Sequence, residues 1–207
     1  MISLVIFDCD GVLFDSAGAN VAYYNAVLER LGRPPLDEAW RRRAHFLSSN
    51  QLYEAMFGAD SAVGAKALRV GREIDYGPFY RLMRPMPDLE HVLQVLAPHY
   101  KLAMATNRGG TAAGVVREFD LGRWLSLTVG ANDVARAKPH PDMLLRCLEH
   151  FRVPATSAAY VGDSETDHQA ALAANIPFIG FGPTAPAQHR VHALRELPAL
   201  LASFNRA

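Results

Sequence analysis

Short apolar runs rich in β-formers alternate with helix-like segments along most of the chain, and this alternation limits the possible folds more than any other feature. The runs are Ile2–Phe7, Lys101–Thr106, Leu125–Val129, Ala158–Gly162 and Pro177–Phe181. Between them, Asp88–Ala97 places Leu89, Val92, Leu93 and Leu96 at helical spacing, and Pro139–Phe151 does the same with Met143, Leu144, Cys147, Leu148 and Phe151. Strand, helix and strand in succession imply parallel strands joined by crossover helices. The expected fold is α/β, a doubly wound parallel sheet covered on both faces.

From about Ala17 to Arg84 the alternation stops. This stretch holds only helix-like segments, punctuated by Gly32, Pro34-Pro35, Gly58 and Gly77-Pro78. It predicts an inserted all-helical subdomain over 17–84, with the α/β core formed by 1–16 and 85–207. A chain of 207 residues is about 1.4 times a typical domain length, which suits one core and a smaller insertion. The return to the core runs through Arg84-Pro-Met-Pro87, where two prolines stiffen an extended linker and Asp88 is placed to cap the next helix. Open α/β sheets bind ligands beyond the carboxyl ends of their strands. An insertion leaving just after the first strand is therefore expected to cover the site like a lid.

Charge and cysteine usage narrow the partners. With 21 Lys+Arg against 21 Asp+Glu there is no basic excess to neutralise nucleic-acid phosphates, and no basic amphipathic segment to meet an anionic membrane. Two cysteines, Cys9 and Cys147, make no disulfide framework and no C-x-x-C pair, which points to a reducing compartment. The start, Met1-Ile-Ser-Leu-Val-Ile-Phe7, meets Asp8 and Asp10 too early for a signal peptide, and no apolar run reaches membrane-span length. A soluble cytoplasmic protein is expected, with no nucleic-acid or membrane partner.

Four residue sets carry possible chemistry. The first is Phe7-Asp8-Cys9-Asp10-Gly11, at the carboxyl end of the first run. If the chain is still extended, period-two alternation points Asp8 and Asp10 the same way and Cys9 the other, and Gly11 lets the backbone turn sharply. One acid could attack while the other moves protons; an Asx-rich turn closing a strand is the alternative. The second is Ala105-Thr106-Asn107-Arg108-Gly109-Gly110, where a hydroxyl, an amide, a guanidinium and backbone N–H groups precede a helix, as a phosphate site requires. The same pattern also suits a strand-to-helix loop with Thr106 or Asn107 as N-cap.

The third set is Ala135-Arg136-Ala137-Lys138-Pro139-His140-Pro141-Asp142, with Lys138 just before a proline suited to a first helical turn. Its ammonium could offset anionic charge in a cleft, or simply be solvated. The fourth is Tyr160-Val161-Gly162-Asp163-Ser164-Glu165-Thr166-Asp167-His168. Ser164 with Asp167 three residues on is a capping-box pattern, which leaves Asp163 at the strand tip unexplained. Carboxylates converging on one cleft repel one another, and a hard divalent cation such as Mg²⁺ is the usual remedy. Each set falls at the carboxyl end of a different predicted strand. A sheet brings those ends together, so the four count jointly.

With Asp8-x-Asp10-Gly-Val-Leu-Phe-Asp-Ser, Thr106-Asn107, Lys138-Pro139 and Gly162-Asp163-Ser164-x-x-Asp167, the chain resembles the haloacid dehalogenase superfamily of phosphohydrolases over nearly its whole length. The helical insertion after the first motif is similar to the cap of its phosphoglycolate phosphatase-like and β-phosphoglucomutase-like branch. The resemblance implies a phosphatase acting on a small phosphorylated metabolite, with Asp8 the nucleophile that forms an aspartyl-phosphate and Asp10 the general acid/base. It assigns Mg²⁺ to the Asp8 side chain, the Asp10 backbone carbonyl and Asp163, with Asp167 in support. It gives Thr106 and Lys138 the phosphoryl oxygens, and Asn107 and Arg108 substrate contacts. Asp10 separates the chain from the superfamily's dehalogenases, which have no ester leaving group to protonate.

Other outcomes stay open at this level. A phosphomutase would use the same motifs, and a phosphoacceptor or binding protein without turnover is a further alternative. A receiver-like acceptor would need its Asp at the end of the third strand, whereas Leu125–Val129 leads into Gly130-Ala131-Asn132. A family cap often carries a glycine in the loop facing the site, and His45-Phe-Leu-Ser-Ser-Asn50 has none. Trp40, Phe46, Leu47, Tyr53, Met56 and Phe57 read as packing within the insertion, and Arg41-Arg42-Arg43 as a solvated face, since successive helical residues point about 100° apart. A monomer or homodimer is expected.

Overall fold

The computed structural model describes residues 1–183 and 187–205. Its main sheet has six strands: β1 (Leu4–Phe7), β4 (Lys101–Thr106), β5 (Leu127–Gly130), β6 (Ala158–Gly162), β7 (Phe178–Phe181) and β8 (His189–Val191). They lie in the order β5-β4-β1-β6-β7-β8, and every pairing is parallel. β1 is central, with β4 on one side and β6 on the other, so the strand order reverses at β1. Its carboxyl end is the crevice where open sheets of this kind bind ligands.

The central strands β1, β4, β6 and β7 are buried on both faces, and their side chains alternate between two clusters. Val5, Phe7, Leu102, Met104, Ala159 and Val161 join one, with α6 (Leu89–Leu96) and α10 (Leu197–Phe204) packed on it. Leu4, Ile6, Ala103, Ala105, Ala158 and Tyr160 join the other, beneath α8 (Asp142–Phe151) and α9 (Glu165–Ala173). Burying a side chain such as Phe7 in this way contributes roughly 1.5–3 kcal/mol. Between β4 and β5 lies α7 (Ala112–Glu118).

Residues 17–80 form α1 (Ala17–Arg30), α2 (Glu38–Phe46), α3 (Ser49–Phe57), α4 (Ala62–Glu73) and α5 (Gly77–Tyr80). Local signals set their limits: Asp37, Ser48 and Ser61 accept hydrogen bonds at the starts of α2, α3 and α4, and Gly32 and Gly58 follow α1 and α3 with positive φ. These helices share a cluster of their own around Tyr24, Val27, Leu28, Leu52 and Tyr53. Trp40, Leu47, Met56 and Phe57 pack on it as expected, while Phe46 is exposed. Arg41, Arg42 and Arg43 are all exposed, with Arg42 paired to Glu38 and Arg43 stacked on Trp40. Among the described residues no helix is long and apolar enough to cross a membrane.

The structure differs from expectation at several points. A two-residue antiparallel ribbon, β2 (Phe14–Asp15) with β3 (Arg84–Pro85), ties the start and end of the helical stretch together. β8 was not visible as an apolar run. Asp88 stands at the start of α6 but in a left-handed conformation, and its carboxylate pairs with Arg195 and caps nothing. Pro139 lies ahead of α8, which begins at Asp142, so it is not in the first helical turn. Thr106 ends β4 and is separated from α7 by a loop, so neither Thr106 nor Asn107 caps that helix.

Candidate active site

Beyond the carboxyl end of β1, Asp8 carries the ladder one residue further, and the chain bends at Cys9 and turns at Gly11. The Asp8 N–H donates to the Val161 carbonyl at 2.9 Å and continues the ladder with β6, while Cys9 is buried in the cluster that holds Phe7. Asp8 and Asp10 therefore emerge on the opposite side from Cys9. Gly11 makes the turn with φ +83°, and a Cβ there would run into the Asp163 carboxylate. The first loop and the tip of β6 are thus packed so closely that only glycine fits.

Lys138 enters from the loop after β5, and its ammonium is 2% exposed. It donates to Asp8 Oδ1 at 2.7 Å, Asp167 Oδ1 at 2.7 Å, the Tyr160 hydroxyl at 2.9 Å and the Ala105 carbonyl at 3.2 Å. Burial works to lower its pKa, but Asp167 and Asp8 outweigh that and hold Lys138 charged. Asp167 is saturated: Oδ1 also accepts from Tyr160 at 2.7 Å, and Oδ2 accepts from the Ser164 N–H at 3.1 Å and from its hydroxyl at 2.5 Å. The Ser164–Asp167 capping box expected at the start of α9 is present.

Asp8 is pushed well above the usual carboxylate range by burial, with Lys138 pulling it back and Asp167, Asp163 and Asp10 adding to the rise. Asp163 is raised as well, by burial first, against the nearby His45 imidazole. One oxygen from each of Asp8, Asp163 and Asp167 lies within 4.8 Å of the others, a spacing that fits a hard divalent cation. The Asp10 side chain is not in this group.

Asp10 faces Arg108 instead. Arg108 Nε lies 2.9 Å from Asp10 Oδ2, and Nη2 lies 2.6 Å from Oδ1. The Ser16 hydroxyl also donates to Asp10. Burial works to raise Asp10, but Arg108 and Ser16 prevail and hold its carboxyl below the usual range. The rest of the Arg108 fork reaches the helical segment, with Nη1 donating to the Tyr76 hydroxyl at 2.9 Å and Nη2 to Asn20 Oδ1 at 3.0 Å.

Thr106 is fully buried, and its hydroxyl accepts from the Arg108 N–H at 3.1 Å. Asn107 ties the loops together. It accepts from the Lys138 N–H at 3.0 Å and donates to the carbonyls of Lys138 at 3.2 Å and Phe46 at 3.0 Å. Gln51 of α3 donates to the same Lys138 carbonyl at 3.0 Å. His45 Nε2 sits 3.7 Å from Asp163 Oδ2. All eight sequence-predicted residues thus gather at one edge of the sheet, in two linked groups: Asp8, Lys138, Asp163 and Asp167, and Asp10 with Thr106, Asn107 and Arg108.

Sequence reasoning missed Tyr160, Asn20, Tyr76 and Gln51. Tyr160 reads as one more apolar position in a buried strand, Asn20 and Gln51 lie in α1 and α3, and Tyr76 lies in the loop just before α5, where no motif marks an inward-facing residue. A cavity of about 260 Å³ opens between the Asp10–Arg108 pair and the helical segment. Buried, charge-paired carboxylates around one ammonium, beside a second acid held ionised, can take up an electrophilic phosphoryl group and manage its protons.

Comparison with known proteins agrees with this chemistry. The family model of haloacid dehalogenase-like hydrolases matches residues 5–181. The phosphoglycolate phosphatase of Xylella fastidiosa is 30% identical, with the match covering 84% of this chain and 77% of that protein. The phosphoglycolate phosphatase of Pseudomonas putida is 28% identical, over 86% of this chain and 68% of that protein. Among solved structures, a haloacid dehalogenase-superfamily hydrolase from Geobacter sulfurreducens is 36% identical with a TM-score of 0.76, covering 97% of this chain and 96% of that one. CbbY of Rhodobacter sphaeroides, solved in complex with phosphate, shares the fold at 20% identity and a TM-score of 0.80, over 95% of this chain and 96% of its own.

Proposed function

The chain belongs to the haloacid dehalogenase-like hydrolases, and from that premise we propose that it is a Mg²⁺-dependent phosphatase that cleaves a small phosphate monoester through an aspartyl-phosphate on Asp8. The observation that carries this reading is the contact between Asp8 Oδ1 and the buried Lys138 ammonium, at the strand end where the sheet order reverses. Lys138 holds the carboxylate in one orientation and offers positive charge to phosphoryl oxygens that gain charge in the transfer.

Asp8 and Asp163 would hold the cation, with the Asp10 carbonyl completing the set and Asp167 supporting through Lys138. Mg²⁺ bound there supplies the positive charge that lets these carboxylates stay ionised together and that draws charge from the phosphoryl oxygens. Asp10 handles protons. In its ionised, Arg108-paired form it takes one from the water that frees the phosphate, and that same proton, carried on Asp10, goes to the leaving oxygen of the next ester. Thr106 and Asn107 hold the loop that carries Arg108 against the loop that carries Lys138.

The helical segment over 17–84 acts as the cap, bound to the core site through Gln51, Asn20, Tyr76 and Phe46. The partner is a small phosphorylated metabolite, and a cytoplasmic setting is in keeping with the two free, buried thiols Cys9 and Cys147. The test is phosphate release with Mg²⁺ or EDTA across 2-phosphoglycolate, sugar phosphates, nucleoside monophosphates and an aryl phosphate. Metal-dependent release of phosphate from one preferred ester is the expected result. No release from any ester by a folded, Mg²⁺-binding protein would overturn the reading.

A further inference from the structure

Four acceptors fix the ammonium of Lys138, but the base of that side chain is held in another way. Among the described residues, neither the N–H nor the carbonyl of Lys138 pairs with another backbone group. Side chains take both. Asn107 accepts from the N–H at 3.0 Å, and Asn107 and Gln51 both donate to the carbonyl, at 3.2 and 3.0 Å. A carbonyl has two lone pairs, so this one is fully used. One donor comes from the loop after β4, and the other comes from α3, 87 residues away along the chain.

The two ends of the Gln51 amide do different things. Its Oε1 accepts from the Ser48 N–H and the Ser48 hydroxyl, both at 2.9 Å, and completes the capping box at the start of α3. Its Nε2 takes no part in the box and reaches Lys138. A glutamate would close a capping box equally well, so the helix needs only the oxygen and nothing in α3 calls for the nitrogen. Gln51 also lines no part of the cavity beside Asp10, which separates it from the groups placed to touch a ligand.

Resting on the phosphatase reading above, we propose that Gln51 is a positioning residue for phosphoryl transfer, acting through the backbone of Lys138. The four-carbon stem of a lysine is flexible, so its ammonium is delivered to Asp8 reproducibly only from a fixed starting point. Asn107 supplies half of that point and the helical segment supplies the other half. The Phe46 carbonyl at the end of α2 accepts from the same Asn107 nitrogen, so two amides and two carbonyls form one clamp across the junction. Docking of the helical segment thereby fixes the residue that offers charge to the phosphoryl oxygens. Among the described residues, the hydrogen bonds of the ammonium itself all go to the core.

The experiment compares the wild type, Gln51→Glu, Gln51→Met and Ser61→Ala in two measurements. Gln51→Glu keeps the capping oxygen, Gln51→Met keeps the side chain neutral, and neither can donate to Lys138. Ser61→Ala loosens the start of α4 instead, and so controls for a merely structural effect on the helical segment. With Mg²⁺, kcat on 2-phosphoglycolate and on an aryl phosphate is expected to fall about 10–100-fold in both Gln51 variants, by the same factor for the two esters and with KM unchanged. Ser61→Ala is expected to match the wild type. Wild-type kcat in either folded Gln51 variant, or an equal fall in Ser61→Ala, overturns the proposal. Hydrogen exchange over residues 134–142 gives a readout without turnover. It is expected to quicken in both Gln51 variants and not in Ser61→Ala, and unchanged exchange in the Gln51 variants rejects the clamp. A wild type that hydrolyses no ester removes the phosphatase reading, and the exchange comparison then decides alone whether Gln51 holds the Lys138 loop.

Discussion

Lys138 Nζ lies 2.7 Å from Asp8 Oδ1 and 2.7 Å from Asp167 Oδ1, so one ammonium joins the carboxylate beyond β1 to the carboxylate in the first turn of α9. The pair of contacts makes Lys138 at once a candidate for phosphoryl binding and the main counter-charge for two buried acids.

Removing that counter-charge should be costly. Lys138→Met leaves Asp8 and Asp167 buried without it, and breaking a buried pair in this way typically costs about 3–5 kcal/mol. Urea unfolding of the metal-free variant is expected to show a loss of that order together with loss of phosphate release. A midpoint equal to wild type would mean that the ammonium is not what balances the cluster.

The nucleophilic role proposed for Asp8 is tested most simply by Asp8→Asn, which keeps the shape and removes the charge. Phosphate release should fall on the order of 10⁴-fold or more, with the circular dichroism spectrum of the folded protein retained. Undiminished turnover would reassign the nucleophile.

Arg108 should set the pH at which Asp10 works as a base. With Arg108→Gln the burial that raises Asp10 loses its main opponent and is opposed only by Ser16 and His45, so its pKa rises and the ionised form is lost at a higher pH. The acid limb of the kcat–pH profile is therefore expected to move up relative to wild type. A limb that stays in place would show that another group controls it.

Mg²⁺ should change how stability depends on pH. Asp8 and Asp163 are raised in the folded protein, so their contribution is fully present below the unfolded value of about 3.9 and is lost as pH rises through the folded values. Asp10 and Asp167 are lowered, so theirs is present above about 3.9 and lost as pH falls through the folded values. In EDTA, Tm should decline as pH climbs through the first window, and Mg²⁺ should raise Tm most at its upper end, where the ligands are ionised. A Tm gain that is the same at every pH would argue against binding by these carboxylates.

Tyr160→Phe removes one acceptor of the Lys138 ammonium and one donor to Asp167 without changing the ring. A loss of about 0.5–3 kcal/mol in unfolding free energy is expected, measured by urea titration. No change would mean that the Ala105 carbonyl, 3.2 Å from the ammonium, takes over fully.

The sheet was legible because its buried strands are continuous apolar runs, and the four site segments because each follows such a run. His189–Val191 was not, since a strand made of His, Arg and Val carries no apolar signature. The Phe14–Asp15 ribbon is too short to show a period at all. Asp8, Asp10, Lys138 and Asp163 could be picked out individually, but the pairing of Asp10 with Arg108 could not. The two are 98 residues apart, and only the adjacency of β1 and β4 makes them neighbours. Pro139 and Asp88 misled for a related reason, because a residue that suits a helix start still has to be delivered there by the loop before it.

The β2–β3 ribbon pairs Phe14 with Pro85 and Asp15 with Arg84, so the helical stretch leaves and rejoins the core at points one strand spacing apart, about 5 Å. Geometrically it is a cassette plugged into a single socket. Exchanging everything between the two strands for another helical unit with equally close ends would leave the register of the six-stranded sheet untouched.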